Sequence, residues 1–162
     1  MPWRIPLSRQ PIDVLLVEDN PGDIRLVEEA FKEGGFRNCR LNVARDGEQA
    51  IAFLHQETPF ENSPRPTFIL LDLHLPLKSG QEVLAEIKKD ERLRRIPVFI
   101  LSTSTHLDDV NTAYDLHANC YIPKPMGLAN LVEVGKIVED FWLRTSLLPS
   151  SVKSRCHCAG SP

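Results

Sequence analysis

No uninterrupted apolar run in the 162-residue chain approaches the roughly 18 residues of a membrane span. Basic residues are not in excess either. With 19 Lys and Arg against 22 Asp and Glu, the formal net charge is -3, which gives no electrostatic case for nucleic acid as a partner. The first ten residues contain Arg4 and Arg9 but no apolar core of a signal peptide, so the expected location is the cytoplasm. Cysteine is scarce: Cys39 and Cys120 fall in the patterned region, Cys156 and Cys158 in the tail, and no disulfide framework follows. The tail sequence Cys156-His157-Cys158 lacks a fourth metal ligand at fixed spacing and reads as a Ser-, Gly- and Pro-containing end. There are no internal repeats and no sign of a second domain. We expect an N-terminal extension over 1–11, one domain over 12–149 and a tail over 150–162.

What is present is a regular alternation. Apolar runs occur at Val14–Val17, Leu41–Ala44, Phe68–Leu71, Val98–Leu101 and Cys120–Ile122. Most have almost no polar interruption, the pattern of parallel strands covered on both faces. Between and after them, helical periodicity predicts helices over 21–33, 47–56, 80–89, 108–117 and 128–143, with Gly34-Gly35 stopping the first. The last of these places Leu131, Val134, Val138, Phe141 and Trp142 in register. Strand then helix, five times over, with right-handed crossovers, gives an α/β fold with a doubly wound parallel sheet. The Pro-rich stretch 57–67 reads as a surface extension.

Such a fold presents its functional groups at the carboxyl ends of the strands. There the sequence has Glu18-Asp19-Asn20, Asp72, Ser102-Thr103 and Lys124-Pro125. If strands one, three, four and five are neighbours, three carboxylates, a hydroxyl and an ammonium converge. Three carboxylates in a small volume repel one another unless a cation is bound, and hard oxygen donors suit Mg²⁺. A carboxylate can attack a phosphoryl group to give an acyl phosphate, with a metal and a lysine neutralising charge. Taken singly, each of these residues has a commoner role: Asp72 as a helix cap, Asn20-Pro21 as a helix start, Lys124 as a solvated lysine. Only their conjunction at neighbouring strand ends points to phosphoryl chemistry.

These segments resemble the receiver domains of two-component response regulators. Val14–Asn20, Leu70–Pro76 with Gly80, Ile96–Ser102 and Tyr121–Pro125 carry the resemblance, which extends over 12–144. It implies a flavodoxin-like five-stranded parallel sheet of order 2-1-3-4-5 with five helices. It implies Asp72 as phosphoacceptor, with Asp19 a direct Mg²⁺ ligand (Mn²⁺ being possible), Glu18 acting largely through water, and the main-chain carbonyl of His74 as a third ligand. Ser102 would be the switch hydroxyl, Lys124 the phosphate-binding lysine and Tyr121 the aromatic that changes rotamer. The Lys124–Pro125 bond is expected to be cis. Glu18 and Ser102 replace the commoner Asp and Thr while keeping the functional groups.

A narrower resemblance, carried by the Pro-rich stretch, 114–122 and 141–149, is to single-domain regulators paired with bacterial phytochromes. It implies a light-regulated histidine kinase as partner and output through protein contacts alone. Ile137, Phe141 and Trp142 on the last helix suggest a homodimer through the face formed by the fourth helix, fifth strand and fifth helix. Asp23, Ile24 and Val27 on the first helix are expected to receive the kinase.

The rivals are less well supported. An aspartate-nucleophile phosphatase carries Asp-x-Asp on its first strand, whereas this first strand ends in Glu18-Asp19. A pseudo-receiver that only binds partners loses pocket residues, and none is lost here. A flavin phosphate would meet an acidic first loop. The chain is therefore expected to catalyse only its own phosphorylation and dephosphorylation.

Overall fold

A computed structural model of the chain describes residues 11–34, 36 and 38–149. The proposed extension before residue 11, the tail from 150 onward with Cys156-His157-Cys158, and Gly35 lie outside the described residues. The strands are β1 Ile12–Val17, β2 Cys39–Ala44, β3 Phe68–Leu71, β4 Val98–Ser102 and β5 Cys120–Pro123. The helices are α1 Pro21–Glu33, α2 Gly47–His55, α3 Gly80–Lys89, α4 Leu107–Asp115 and α5 Leu128–Val138. All strand pairs are parallel and the order is β2-β1-β3-β4-β5, as the resemblance implies.

The apolar runs are buried on both faces because alternate residues serve two cores. Leu15, Val17, Ile69, Leu71, Val98 and Ile100 pack with α2, α3 and Ala113 of α4. Val14, Leu16, Phe68, Leu70, Phe99 and Leu101 face the opposite side, with Ile24 and Val27 of α1 and partly buried residues of α5. β2 is an edge strand, which explains its weaker apolar signal.

Helix starts follow local chemistry. Asn20 caps α1 by accepting from the Gly22 and Asp23 N–H groups, with Pro21 in the first turn. Asp46 caps α2 through the Gln49 N–H. Ser79 and Glu82 form a reciprocal capping box at α3. No side chain caps α4 or α5.

The stretch 57–67 lies largely at the surface, as expected, and is tied down there: Phe60 packs on Phe53 with ring centroids 5.7 Å apart. Ser63 Oγ donates to the Phe53 carbonyl and Gln56 Nε2 to that of Ser63, tying the stretch to the end of α2. The predicted single helix over 128–143 ends at Val138 and continues as a π-helical turn, Glu139–Leu143. The extra residue per turn rotates the side chains that follow. Trp142 turns inward onto Phe99, with centroids 4.8 Å apart, while Phe141 is 54% exposed. Glu139 is buried and accepts from Arg144 over 3.1 Å. Trp142 is therefore a core contact, and of the three suggested interface residues only Ile137 and Phe141 are exposed.

Candidate functional site

The strands deliver their polar residues to one edge of the sheet. The ladder runs one residue past β1 and β3: Glu18 N–H donates to Ala44 and Asp72 N–H to Val17. At the far side Lys124 N–H donates to the Ser102 carbonyl. Glu18, Asp72 and Ser102 are buried, while Asp19 is exposed. Gly80 makes the arrangement possible. A Cβ there would sit 2.1 Å from the Asp72 carbonyl oxygen, so α3 can start against the Asp72 backbone only with glycine at this position. Gly47 plays the same part for the β3–α3 loop, where a Cβ would lie 2.3 Å from the Lys78 carbonyl oxygen.

Lys124 is the centre of the site. Its ammonium donates to Glu18 Oε2 at 2.6 Å, Asp72 Oδ2 at 2.7 Å and Asp23 Oδ2 at 2.8 Å. Burial works against its charge, but the hydrogen bonds to Asp23, Asp72 and Glu18 outweigh burial and raise its pKa. The Glu18 carboxyl is raised by burial, an effect that Lys124 and the Asn20 N–H oppose and neighbouring Asp72 reinforces. Two buried carboxylates beside one ammonium leave the pocket with an excess of negative charge. Its chemistry fits a hard divalent cation: one carboxylate oxygen from each of Glu18, Asp19 and Asp72 lies within 4.8 Å of the others.

Of the predicted site residues, Glu18, Asp19, Asp72 and Lys124 thus come together, while Ser102 and Tyr121 are joined to each other through Ser104. The backbone N–H of His74 donates to Asp72 Oδ1 over 3.1 Å, which fixes the loop beside the carboxylate. Ser102 Oγ accepts from Ser104 N–H at 3.3 Å, and the Tyr121 hydroxyl donates to the Ser104 carbonyl at 2.9 Å. The Lys124–Pro125 bond is trans, the intrinsically favoured isomer, which corrects the expectation above; among the described residues the cis bond is Thr58–Pro59. With that bond trans, the ammonium still reaches all three carboxylates. Sequence reasoning missed Asp23 as a Lys124 partner, reading it only as part of a docking helix. The available signal was an acidic side chain in the first turn of a helix that starts directly after the acidic pair.

Residues 14–136 match the family described as response regulator receiver domain. The chain belongs to this family. The receiver is 49% identical to the response regulator Rcp1 of Synechocystis sp. over 144 residues, 89% of this chain and 97% of that protein. It superposes on the Mn²⁺-bound form of Rcp1 with a TM-score of 0.79 at 50% identity, covering 86% of this chain and 100% of that one. It superposes on the phosphorylated cyanobacterial phytochrome response regulator RcpA with a TM-score of 0.81, also at 50% identity, covering 86% and 99%. The fold and the receiver family expected from the sequence are both borne out. No helix among the described residues is long and apolar enough to cross a membrane.

Proposed function

We propose that this receiver accepts a phosphoryl group on Asp72 from a sensor histidine kinase and signals by changing the surface it offers to other proteins. The observation that carries the reading is the Lys124 ammonium at 2.7 Å from a buried Asp72 carboxylate in an acidic crevice. An anionic nucleophile and an anionic phosphoryl group meet only where positive charge offsets their repulsion. Lys124 supplies part of that charge. Glu18, Asp19, Asp72 and the main-chain carbonyl of His74 would hold Mg²⁺, with Mn²⁺ an alternative. When bound, the cation neutralises charge on the phosphoryl oxygens.

In the transfer, an Asp72 carboxylate oxygen forms a bond to phosphorus and the bond from phosphorus to the kinase imidazole breaks, its electron pair returning to the nitrogen. Attack of water on phosphorus later regenerates Asp72 and releases inorganic phosphate. The chain catalyses only these two steps on itself. Ser102 then donates to a phosphoryl oxygen, and Tyr121 exchanges its bond to Ser104 for an inward rotamer. The similarity to RcpA supports a phytochrome as the kinase. The receiver spans 12–149, flanked by 1–11 and 150–162, and works in the cytoplasm. Ile137 at 62% exposure and Phe141 at 54% support a homodimer through α4, β5 and α5; light scattering that finds a monomer with and without phosphorylation removes it.

Exposure to a small-molecule phosphodonor, with and without Mg²⁺, tests the central reading by intact mass. One Mg²⁺-dependent phosphoryl group is expected on the wild type and none on Asp72→Asn. A folded wild type that gains no mass refutes it.

A further inference from the structure

We propose that Asp23 is a positioning residue that occupies the third donor of Lys124 and surrenders it to the phosphoryl group. The inference rests on Asp72 as the phosphoacceptor. A lysine ammonium has three N–H donors. Here each meets a carboxylate, those of Glu18, Asp72 and Asp23, at 2.6, 2.7 and 2.8 Å. A phosphoryl group on Asp72 brings further anionic oxygens beside the same ammonium, so one carboxylate must let go.

The three are not equivalent. Glu18 is 2% exposed, and its other oxygen is taken by the Asn20 N–H at 3.0 Å. Asp72 is the point of attachment. Asp23 is 34% exposed, so its carboxylate can turn to water at small desolvation cost. Its backbone stays in place meanwhile, because the Asn20 side chain accepts from its N–H at 3.1 Å. In the free protein Asp23 satisfies and aims the lysine; in the phosphorylated protein it competes for the ammonium and repels the new oxygens. It therefore sets the balance between the two states without touching the reacting atoms.

The test is a ¹⁹F NMR titration of the full chain with beryllium fluoride, a non-hydrolysable phosphoryl mimic, in the presence of Mg²⁺. Wild type, Asp23→Asn and Asp23→Glu are compared. The Lys124 ammonium is followed by ¹H–¹⁵N NMR before any mimic or metal is added. We expect Asp23→Asn to bind the mimic about tenfold more tightly, Asp23→Glu to restore wild-type affinity, and the ammonium signal to move in Asp23→Asn. Equal or weaker binding by Asp23→Asn, or an unmoved ammonium signal, overturns the inference. Should Asp23→Asn fail to fold, Asp23→Ser is read by the same criteria. A wild type that takes no mimic removes the phosphoacceptor assignment together with this inference; a wild type that binds while Asp23→Asn behaves identically removes this inference alone.

Discussion

The hydroxyl of Tyr121 on β5 donates to the carbonyl oxygen of Ser104, 2.9 Å away in the loop after β4. Ser104 in turn donates from its side chain to Asp109 on α4 at 2.5 Å, and from its backbone to Ser102 Oγ. One residue thus joins the hydroxyl at the end of β4, the start of α4 and the aromatic of β5. Tyr121→Phe removes one of these bonds and should cost about 1 kcal/mol. Ser104→Ala with Asp109→Ala should cost less than the sum of the single variants, because they share a bond. Urea unfolding of the wild type and the four variants measures both.

Leu77 lies between Pro76 and Lys78 with φ of 66°, and its side chain is 78% exposed. A left-handed backbone costs an L-residue roughly 1–2 kcal/mol, and no buried contact of the leucine offsets it. Leu77→Gly should therefore stabilise the protein by about 0.5–1 kcal/mol after glycine's extra unfolded-state entropy is counted. Leu77→Ile should destabilise it. A lower urea midpoint for the glycine variant contradicts the strain argument.

Gly80→Ala forces a methyl group against the Asp72 carbonyl, which is backbone and has little room to move. The expected loss is at the upper end of the roughly 1–3 kcal/mol seen for overpacking, or beyond it. Phosphorylation of the folded fraction should fall as well, since the Asp72 backbone must shift. Thermal unfolding and intact mass after phosphodonor treatment read the two effects separately.

Burial raises the Cys39 thiol to about 12, with Glu139 and Asp13 adding to the effect, and raises Cys120 to about 11. Both folded values lie above the unfolded value of about 8.5. The stabilisation is complete below about pH 8.5 and is lost as pH rises through about 11 and 12. In a Cys156→Ser, Cys158→Ser variant at pH 8, a thiolate-selective reagent should modify Cys39 and Cys120 far more slowly in the folded protein than in denaturant. Equal rates would show that neither thiol is protected.

Lys124→Met leaves Glu18 and Asp72 buried without their shared cation. Loss of one partner of a buried ion pair costs about 3–5 kcal/mol. The variant should recover part of that loss on addition of Mg²⁺ and gain more from it than the wild type does. Melting curves across a Mg²⁺ series test this, and parallel curves for the two proteins would count against the cation site.

The strand runs, the starts of α1 and α3, and the polar residues at the ends of β1, β3, β4 and β5 were legible in the sequence. These signals are local: apolar patches of fixed length, Asn20-Pro21 as a helix start, helical periodicity from Gly80, and an abrupt change from apolar to charged at Glu18 and Asp72. Tertiary structure decided the rest. The helix predicted over 128–143 gives way to a π-helical turn, in which Trp142 finds Phe99 and Glu139 finds Arg144, partners 43 and 5 positions away that no periodicity can weigh. The stretch 57–67 is anchored through Phe60 and Ser63, a matter of packing rather than proline content. Lys124 reaches Asp23 across 101 positions of sequence, an ion pair visible only once β5 and the start of α1 meet at the same edge of the sheet. Residue type and spacing determined which chemistry this chain could carry; long-range packing and electrostatics decided which carboxylates share the lysine.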